Sequence, residues 1–314
     1  MSLSGGVLST TTKVWDILMA SHAGNLELVM QMAADCPELL YAQYNYTPPI
    51  HFAVREGHID LVNYLLEQGA HDPTYRIYPF LDTLQTLALD RGFDEIALRL
   101  DAYADNPALH KFKGDNGKIH VNRSPLEKEF QAAVDKGDLE KTGQILKSNP
   151  EFALDENFFW GEGILTMPAK RADFKLIDLL KSYGAKVPDI LKWTQAYYFE
   201  RYDSAAYLVE HGMNPDTMSW HHVTILHDMA QKGNVPKARL LLEHGANIDV
   251  VEEEYQSTPL GMAARWGHIE MVRFLLEQDA DPNKSGAAWA TPLAWAKKKS
   301  HTEIESILKD AGAV

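Results

Sequence analysis

The sequence contains a single cysteine, Cys36, so an intrachain disulfide is impossible. Chains without disulfides are typical of reducing compartments, and we expect a cytoplasmic protein. No uncharged apolar run reaches about eighteen residues, so we expect no membrane-spanning helix. The first residues, Met1–Gly6, carry neither a basic segment nor a long apolar stretch, so we expect no signal peptide.

Basic residues are outnumbered by acidic ones: 30 Lys and Arg stand against 44 Asp and Glu, a formal net charge of −14. Binding to nucleic-acid phosphates needs a basic surface, so the composition argues against a nucleic-acid partner. A Gly-rich phosphate loop, a nucleophile elbow and a His-Glu-x-x-His pair are also absent from the sequence. We therefore expect no cofactor, and a non-enzymatic role is favoured over an enzymatic one.

What the sequence does contain is a repeat with a period of about thirty-three residues. The hexapeptide Leu65–Ala70 returns with small changes as Leu241–Ala246 and as Leu275–Ala280, and the tripeptide at 258–260 returns at 291–293. A period of this length is typical of stacked helical units that bury their apolar faces against one another. The predicted fold is therefore all-α.

The unit at 257–277 shows why these residues recur. Thr258 can cap a first helix, and Pro259 suits its first turn, where no backbone N–H is needed. Gly267 allows a tight turn into a second helix. The second helix then has an apolar stripe at helical spacing, formed by Met271, Val272, Leu275 and Leu276.

With its Thr-Pro-Leu start, small residues and Gly-His turn, this unit resembles the ankyrin repeat family. Similar units lie at 49–66, 224–243 and 291–308, and weaker ones have their turns at Gly24, Gly92 and Gly137. Degenerate units occupy 163–212. The resemblance implies an ankyrin-type solenoid of about nine helix-turn-helix units.

The spacing from Gly92 to Gly137 exceeds one repeat by about a dozen residues. We interpret this as a stack of about three units at 1–102, an insertion at 103–123, and a stack of about six units at 124–314. Asp115-Asn116-Gly117 is a turn signal, so the insertion is either a projecting hairpin or a lid over the binding groove.

The resemblance implies that partners bind a concave face, to which the two residues before each turn glycine contribute. Half of these positions are Lys or Arg. Two interpretations stay open: these cations complement helix C-termini, or they form an anion-attracting groove. The candidate residues at these positions are Arg55, Arg171, Tyr198, Phe199, Lys232, Arg265 and Trp266.

The loops before the first helices, which we call fingers, are rich in large rings. Aromatic and Arg side chains together are typical of binding hot spots. An alternative for Trp160 and Trp289 is that they only pack against neighbouring fingers. The candidate binding residues in the fingers are Trp160, Trp220, His221 and Tyr255.

The family pattern accounts for several of the histidines. His51 and His227 take the tetrapeptide position, and His58 and His268 the turn position, so the resemblance implies structural roles. His221 and His222 fit no family position. Adjacent side chains of an extended finger point to opposite sides, so we expect no metal site there.

Finger carboxylates could act as acid or base. Glu162 is one candidate, while the run Glu252–Glu254 is predicted to be a solvated loop or to attract a basic partner.

The leading functional hypothesis is a non-enzymatic, monomeric scaffold that binds another protein on its concave basic and aromatic face. The alternative is a small-molecule-binding protein or enzyme that uses a pocket within residues 160–270, with an anionic or aromatic ligand.

Overall fold

The computed structural model describes residues 11–110, 123–156 and 158–314, without the side chains of Thr11 and Trp160. These residues form α-helices and short 3-10 turns, and their only β-structure is a few isolated bridges. The chain divides into two compact units, residues 1–120 and 121–314. This boundary falls inside the stretch 103–123 that we interpreted as an insertion.

The first unit contains three helix pairs within its described residues. Its first helices pack in the order α1, α3, α5, and α4 packs against α6. The helices are α1 (Thr11–His22), α2 (Leu26–Asp35), α3 (Pro49–Arg55), α4 (Ile59–Glu67), α5 (Leu84–Arg91) and α6 (Asp94–Ala104).

The second unit contains six helix pairs and one short extra helix, α9, within its described residues. The helices are α7 (Pro125–Lys136), α8 (Leu139–Ser148), α9 (Phe158–Gly161), α10 (Thr166–Arg171), α11 (Phe174–Ser182), α12 (Trp193–Tyr198), α13 (Tyr202–Glu210), α14 (Ile225–Gln231), α15 (Val235–Glu243), α16 (Pro259–Trp266), α17 (Ile269–Glu277), α18 (Pro292–Lys298) and α19 (Thr302–Asp310).

Corresponding helices of neighbouring pairs pack together in this unit. Among the first helices, which we call inner helices, α10 lies between α7 and α12, and α16 lies between α14 and α18. Among the second helices, α15 contacts α13 and α17, and α17 contacts α19. Over the described residues, the predicted all-α class and the predicted nine helix-turn-helix units are confirmed.

The residues predicted to cap the first helix of a repeat and to form its turn have these roles in the structure. Thr258 Oγ1 accepts a hydrogen bond from the Gly261 N–H at 3.3 Å, which caps α16. Gly267 ends this helix at φ 79°, in the left-handed region that favours glycine. In the degenerate unit, Ala172 takes the same place at φ 55°.

A histidine clamp joins each of several turns to the preceding turn. His58 Nε2 lies 2.9 Å from the His22 carbonyl oxygen, and His268 Nε2 lies 2.6 Å from that of Gln231. The structural roles predicted for His58 and His268 are therefore confirmed. A third clamp, which the sequence did not reveal, is His301 on the Arg265 carbonyl at 3.3 Å.

Two sequence expectations lie outside the described residues. They are the missing signal peptide at Met1–Gly6 and the turn at Asp115-Asn116-Gly117. On the near side of the insertion, α6 continues to Ala104 and a 3-10 turn covers Pro107–Leu109. None of the described helices combines the length and the apolar composition needed to cross a membrane.

Candidate functional site

The centre of the candidate site is Arg265, near the end of α16. Its guanidinium carbon lies 4.0 Å from the ring centroid of Tyr255, 5.0 Å from that of Trp266 and 5.6 Å from that of Trp295. The Arg265 side chain is buried, so these contacts are desolvated, where cation–π attraction is strongest. The structure thus brings together three residues from the sequence prediction, Tyr255, Arg265 and Trp266, and adds Trp295.

Two tryptophans of this cluster remain partly exposed: Trp266 at 39% and Trp289 at 37%. Trp289 packs edge-on against Trp295, with ring centroids 5.7 Å apart. Trp295 is itself fully buried and donates its indole N–H to Ser257 Oγ at 2.6 Å. The exposed rings therefore rest on a fixed, buried layer.

Lysines lie at the ends of the two helices that flank α16. Lys232 follows α14, and Lys298 ends α18 with its Nζ 5.7 Å from the ring centroid of Trp295. Lys232 is 54% exposed, and its Nζ contacts Asp228 Oδ2 at 2.8 Å. We call the set Lys232, Trp266, Trp289 and Lys298 the inner-helix surface.

Asp228, the partner of Lys232, is buried on α14, and burial raises the pKa of its carboxyl. The Lys232 ammonium acts in the opposite direction and lowers this pKa. Lys232 is therefore held near the helix end by a buried carboxylate, while most of its side chain faces solvent.

Arg171 has a different role, because its guanidinium joins two repeats. Nη1 donates to the Asp135 carbonyl at 2.6 Å, and Nη2 donates to the Val134 carbonyl at 2.7 Å. These carbonyls belong to the last turn of α7, where a cation complements the helix dipole. At this position, the contacts favour the dipole interpretation of the basic residues.

Arg91 and Lys237 make the same kind of contact. Arg91 Nη1 donates to the Arg55 carbonyl at 2.8 Å, and Lys237 Nζ donates to the Phe199 and Glu200 carbonyls at 2.5 and 3.0 Å. Sequence reasoning missed Lys237. The available signal was its spacing, since all these cations follow their acceptors by slightly more than one repeat, 36 to 38 residues.

Three of the remaining candidates, Arg55, Tyr198 and Phe199, lie in the interior. Arg55 is buried in the first unit, with Nε 2.7 Å from Glu56 Oε1. Tyr198 and Phe199 are buried in the second unit, and burial raises the pKa of the Tyr198 phenol. The side chain of Trp160 lies outside the described part of the chain. Arg55, Tyr198 and Phe199 do not belong to the inner-helix surface.

Two neighbouring fingers of the second unit are linked through histidine and glutamate. His221 Nδ1 lies 3.1 Å from Glu254 Oε1 and 3.8 Å from Glu253 Oε2, and His222 Nδ1 lies 3.2 Å from Glu253 Oε1. The ring of the half-buried Trp220 lies 4.4 Å from that of His221. We call His221, His222, Glu253 and Glu254 the finger cluster.

The predicted solvated loop at Glu252–Glu254 is wrong, because Glu252 and Glu254 are fully buried. The Glu252 carboxylate accepts backbone N–H groups from Glu254 at 2.6 Å, Tyr255 at 3.0 Å and Ser257 at 3.1 Å, and so it shapes the finger. Burial, reinforced by the Glu254 charge, raises the pKa of Glu252 to about 8.

Glu162 is a second buried carboxyl, in the loop before α10. Burial raises its pKa to about 7, although the Lys192 ammonium acts in the opposite direction. Its Oε2 has no hydrogen-bond partner among the described residues. A buried carboxyl with a raised pKa is a typical feature of functional sites.

Comparison with known proteins gives two matches to family descriptions. Residues 195–286 match "Ankyrin repeats (3 copies)", and residues 45–77 match "Ankyrin repeat". The second unit therefore contains the longer match, and this match includes Trp220, Lys232 and Trp266.

Individual relatives match only in part. The chain is 37% identical over 95 residues to palmitoyltransferase ZDHHC17 of Danio rerio, and 37% identical over 94 residues to palmitoyltransferase ZDHHC13 of Mus musculus. Each match covers 30% of this chain and 15% of the relative. A putative ankyrin repeat protein of fowlpox virus is 33% identical over 101 residues, which is 32% of this chain and 23% of that protein. The similarity thus spans much less than two thirds of each relative.

Proposed function

Because the chain is an ankyrin repeat protein, we propose that it is a non-enzymatic scaffold that binds another protein through the inner-helix surface. Ankyrin repeats form protein–protein interaction domains. The proposed binding surface lies at the ends of α14, α16 and α18 and on the adjoining finger.

The observation that carries this proposal is the exposure of Trp266 above the buried Arg265. Tryptophan is enriched among the residues that dominate binding energy, and it is most effective when its ring is already held in place. Arg265, Tyr255 and Trp295 supply this support from below. Binding would cover the exposed part of the ring without first ordering it.

Charge next to the ring indicates the kind of partner. Lys232 and Lys298 flank Trp266 on the neighbouring helices, whereas the whole chain carries a net charge of −14. A local basic surface on an acidic protein attracts a partner segment that bears carboxylates. The rest of this acidic chain would repel such a segment. The proposed partner therefore presents acidic side chains around an apolar or aromatic residue.

The backbone of the fingers supports the same assignment. His222 at φ 60° and Gln256 at φ 51° are non-glycine residues in the left-handed region. Such conformations are unfavourable for side chains and cluster at binding and active sites. Their presence in two fingers beside the inner-helix surface favours a functional constraint on these loops.

Comparative affinity purification from cells that express the protein tests this proposal. The baits are the wild type, Trp266→Ala, and Tyr202→Ala, which removes an exposed aromatic ring from α13. A protein recovered by the wild type and by Tyr202→Ala, but not by Trp266→Ala, supports the proposal. Equal recovery of every protein by all three baits contradicts it.

A small-molecule or catalytic role is the second candidate, and Glu162 is the observation that favours it. A buried carboxyl with one unpartnered oxygen suits a cationic ligand better than the anionic one expected from the sequence. A thermal-shift screen of small amines compares the wild type with Glu162→Gln. Stabilisation of the wild type alone would support this role, and no stabilisation by any amine would contradict it.

A further inference from the structure

We propose that the first unit has a binding surface of its own, which takes an uncharged, proline-rich segment of another protein. The surface consists of Trp15, Tyr44, Tyr46, Tyr78 and Leu81, and we call it the tyrosine surface. It is formed by the first half of α1 and by the two fingers that precede α3 and α5. Because the inner-helix surface belongs to the second unit, the two proposals are tested independently.

Two exposed rings form one end of the tyrosine surface. Trp15 is 44% exposed, and Tyr44 is 37% exposed. Their rings meet edge-on, with centroids 5.8 Å apart and an interplanar angle of 88°. Rings at right angles form two walls of a notch, in which a flat apolar group of a partner can pack.

A second pair of rings joins the two fingers. Tyr46 lies in the same finger as Tyr44, and its ring centroid is 5.4 Å from that of Tyr78 in the next finger. Both Tyr46 and Tyr78 are half-buried. Leu81 belongs to the same finger as Tyr78 and is 56% exposed. Apolar and aromatic groups therefore extend from α1 across both fingers.

The backbone of both fingers is strained at these residues. Tyr44 and Thr47 exchange two backbone hydrogen bonds at 3.0 and 3.2 Å, which close a two-residue turn over Asn45 at φ 46° and Tyr46 at φ 69°. Such a turn favours asparagine and glycine, so asparagine fits it and tyrosine does not. Leu81 also lies in the left-handed region, at φ 61°. Strained non-glycine residues cluster at ligand-binding sites, which favours a functional constraint on these two fingers.

The lack of charge on the tyrosine surface selects the kind of partner. Residues 39–54 contain no Asp, Glu, Lys or Arg, although 24% of the chain is charged. Lys13 and Asp16 flank Trp15 in the sequence with opposite signs, and Arg76 donates to two carbonyls of its own finger at 3.1 and 2.8 Å. A charged partner side chain would lose water here without gaining a counter-charge, so the surface fits an uncharged segment.

Proline is the residue that best matches this arrangement of rings. A proline-rich segment adopts an extended helix without internal hydrogen bonds, which exposes flat apolar rings and carbonyl oxygens. Aromatic grooves bind such segments well because the helix is formed in advance, so little entropy is lost on binding. Tryptophan and tyrosine also carry N–H and O–H donors that suit the carbonyl oxygens.

The alternative occupant is an uncharged apolar segment without proline. An array of short, uncharged, proline-rich peptides distinguishes the two cases when it is compared with a matched array in which alanine replaces each proline. The variants of the full chain are Trp15→Ala and Tyr44→Ala, which lie in different elements. The control is Tyr202→Ala, which removes a ring of 52% exposure from α13 in the second unit.

We expect the wild type and Tyr202→Ala to bind members of the proline array, and to bind the alanine counterparts about tenfold or more weakly. Trp15→Ala and Tyr44→Ala should each lose about tenfold or more in affinity for the same peptides, as measured by fluorescence anisotropy. The proposal is overturned if the wild type binds no proline-rich peptide, if it binds both arrays equally, or if both variants keep full affinity. Circular dichroism of each variant confirms that a lost signal reflects the surface and not unfolding.

Discussion

At the scale of single residues, the turn glycines show how closely neighbouring repeats approach one another. Gly267 adopts φ 79°, and a Cβ there would lie 2.8 Å from Cε1 of His301, the histidine that clamps the next turn. Gly245 has a similar φ of 89°, but a Cβ there would meet nothing within 4 Å. A substitution at Gly245 therefore introduces backbone strain alone, whereas one at Gly267 also introduces a clash with the next repeat.

We expect Gly267→Ala to be the more damaging of two matched substitutions. Gly245→Ala should lower the free energy of unfolding by about 1 kcal/mol, the cost of a left-handed alanine. Gly267→Ala should lower it by about 2–3 kcal/mol, because the methyl group also displaces the His301 ring. Urea titration followed by circular dichroism measures both values, and equal losses would contradict this account of the clamp.

Glu162 gives a second prediction, for pH. Its pKa of about 7 in the folded protein exceeds the value of about 4.3 for an exposed glutamate. Between these values the folded state binds more protons than the unfolded state, so this group lowers the free energy of unfolding as pH rises. The loss is on the order of 3 kcal/mol across the window.

Glu162→Gln should remove this loss, so that the variant matches the wild type near pH 4.5 and exceeds its stability above pH 7. His227, whose pKa is lowered to about 4 by burial, contributes with the opposite sign. Because both proteins retain His227, its contribution cancels in their difference. Urea unfolding at several pH values measures that difference, and a difference independent of pH would exclude a raised pKa.

At the scale of helices, Arg171 holds α10 against the end of α7. Arg171→Ala should lower the free energy of unfolding by about 2 kcal/mol, because it removes two charge-assisted hydrogen bonds to carbonyls in the last turn of α7. Lys136→Ala removes an exposed cation next to the same turn and serves as the control. Arg171→Lys should recover only part of the loss, since lysine lacks the planar fork.

Thermal unfolding by calorimetry measures all three variants. If Arg171→Ala and Lys136→Ala had equal, small effects, then the basic residues before the turns would be solvated and not structural.

The helices also show how far sequence reasoning reached. Thr258, Gly267 and the apolar stripe of α17 predicted their helices because each acts within one repeat. The burial of Glu252 and Glu254 was not predictable, since Glu252 folds back onto N–H groups of its own finger and Glu254 contacts His221 of the neighbouring finger. Tyr255 was predicted from its place in a finger, and Arg265 and Trp266 from their places before a turn glycine. Trp295 was missed because its contact with Arg265 depends on how α18 packs against α16.

At the scale of the whole molecule, the residues that stabilise each repeat differ from the surface residues that are available for binding. Clamps between turns recur along each unit and fix its helices, so individual repeats can carry different surface residues without a change of fold. In the second unit, the ends of α14, α16 and α18 differ in this way: Lys232 is in register with Trp266, and Lys298 is in register with Arg265. The proposed function depends on this one surface.

The most direct measurement is the dissociation constant of the purified protein with the partner recovered by affinity purification, for the wild type, Trp266→Ala and Tyr202→Ala. Trp266→Ala should weaken binding by about 2 kcal/mol, or roughly thirtyfold, with an unchanged helical circular-dichroism spectrum. Tyr202→Ala should bind like the wild type. If Trp266→Ala kept full affinity while Tyr202→Ala lost it, recognition would occur away from the inner-helix surface.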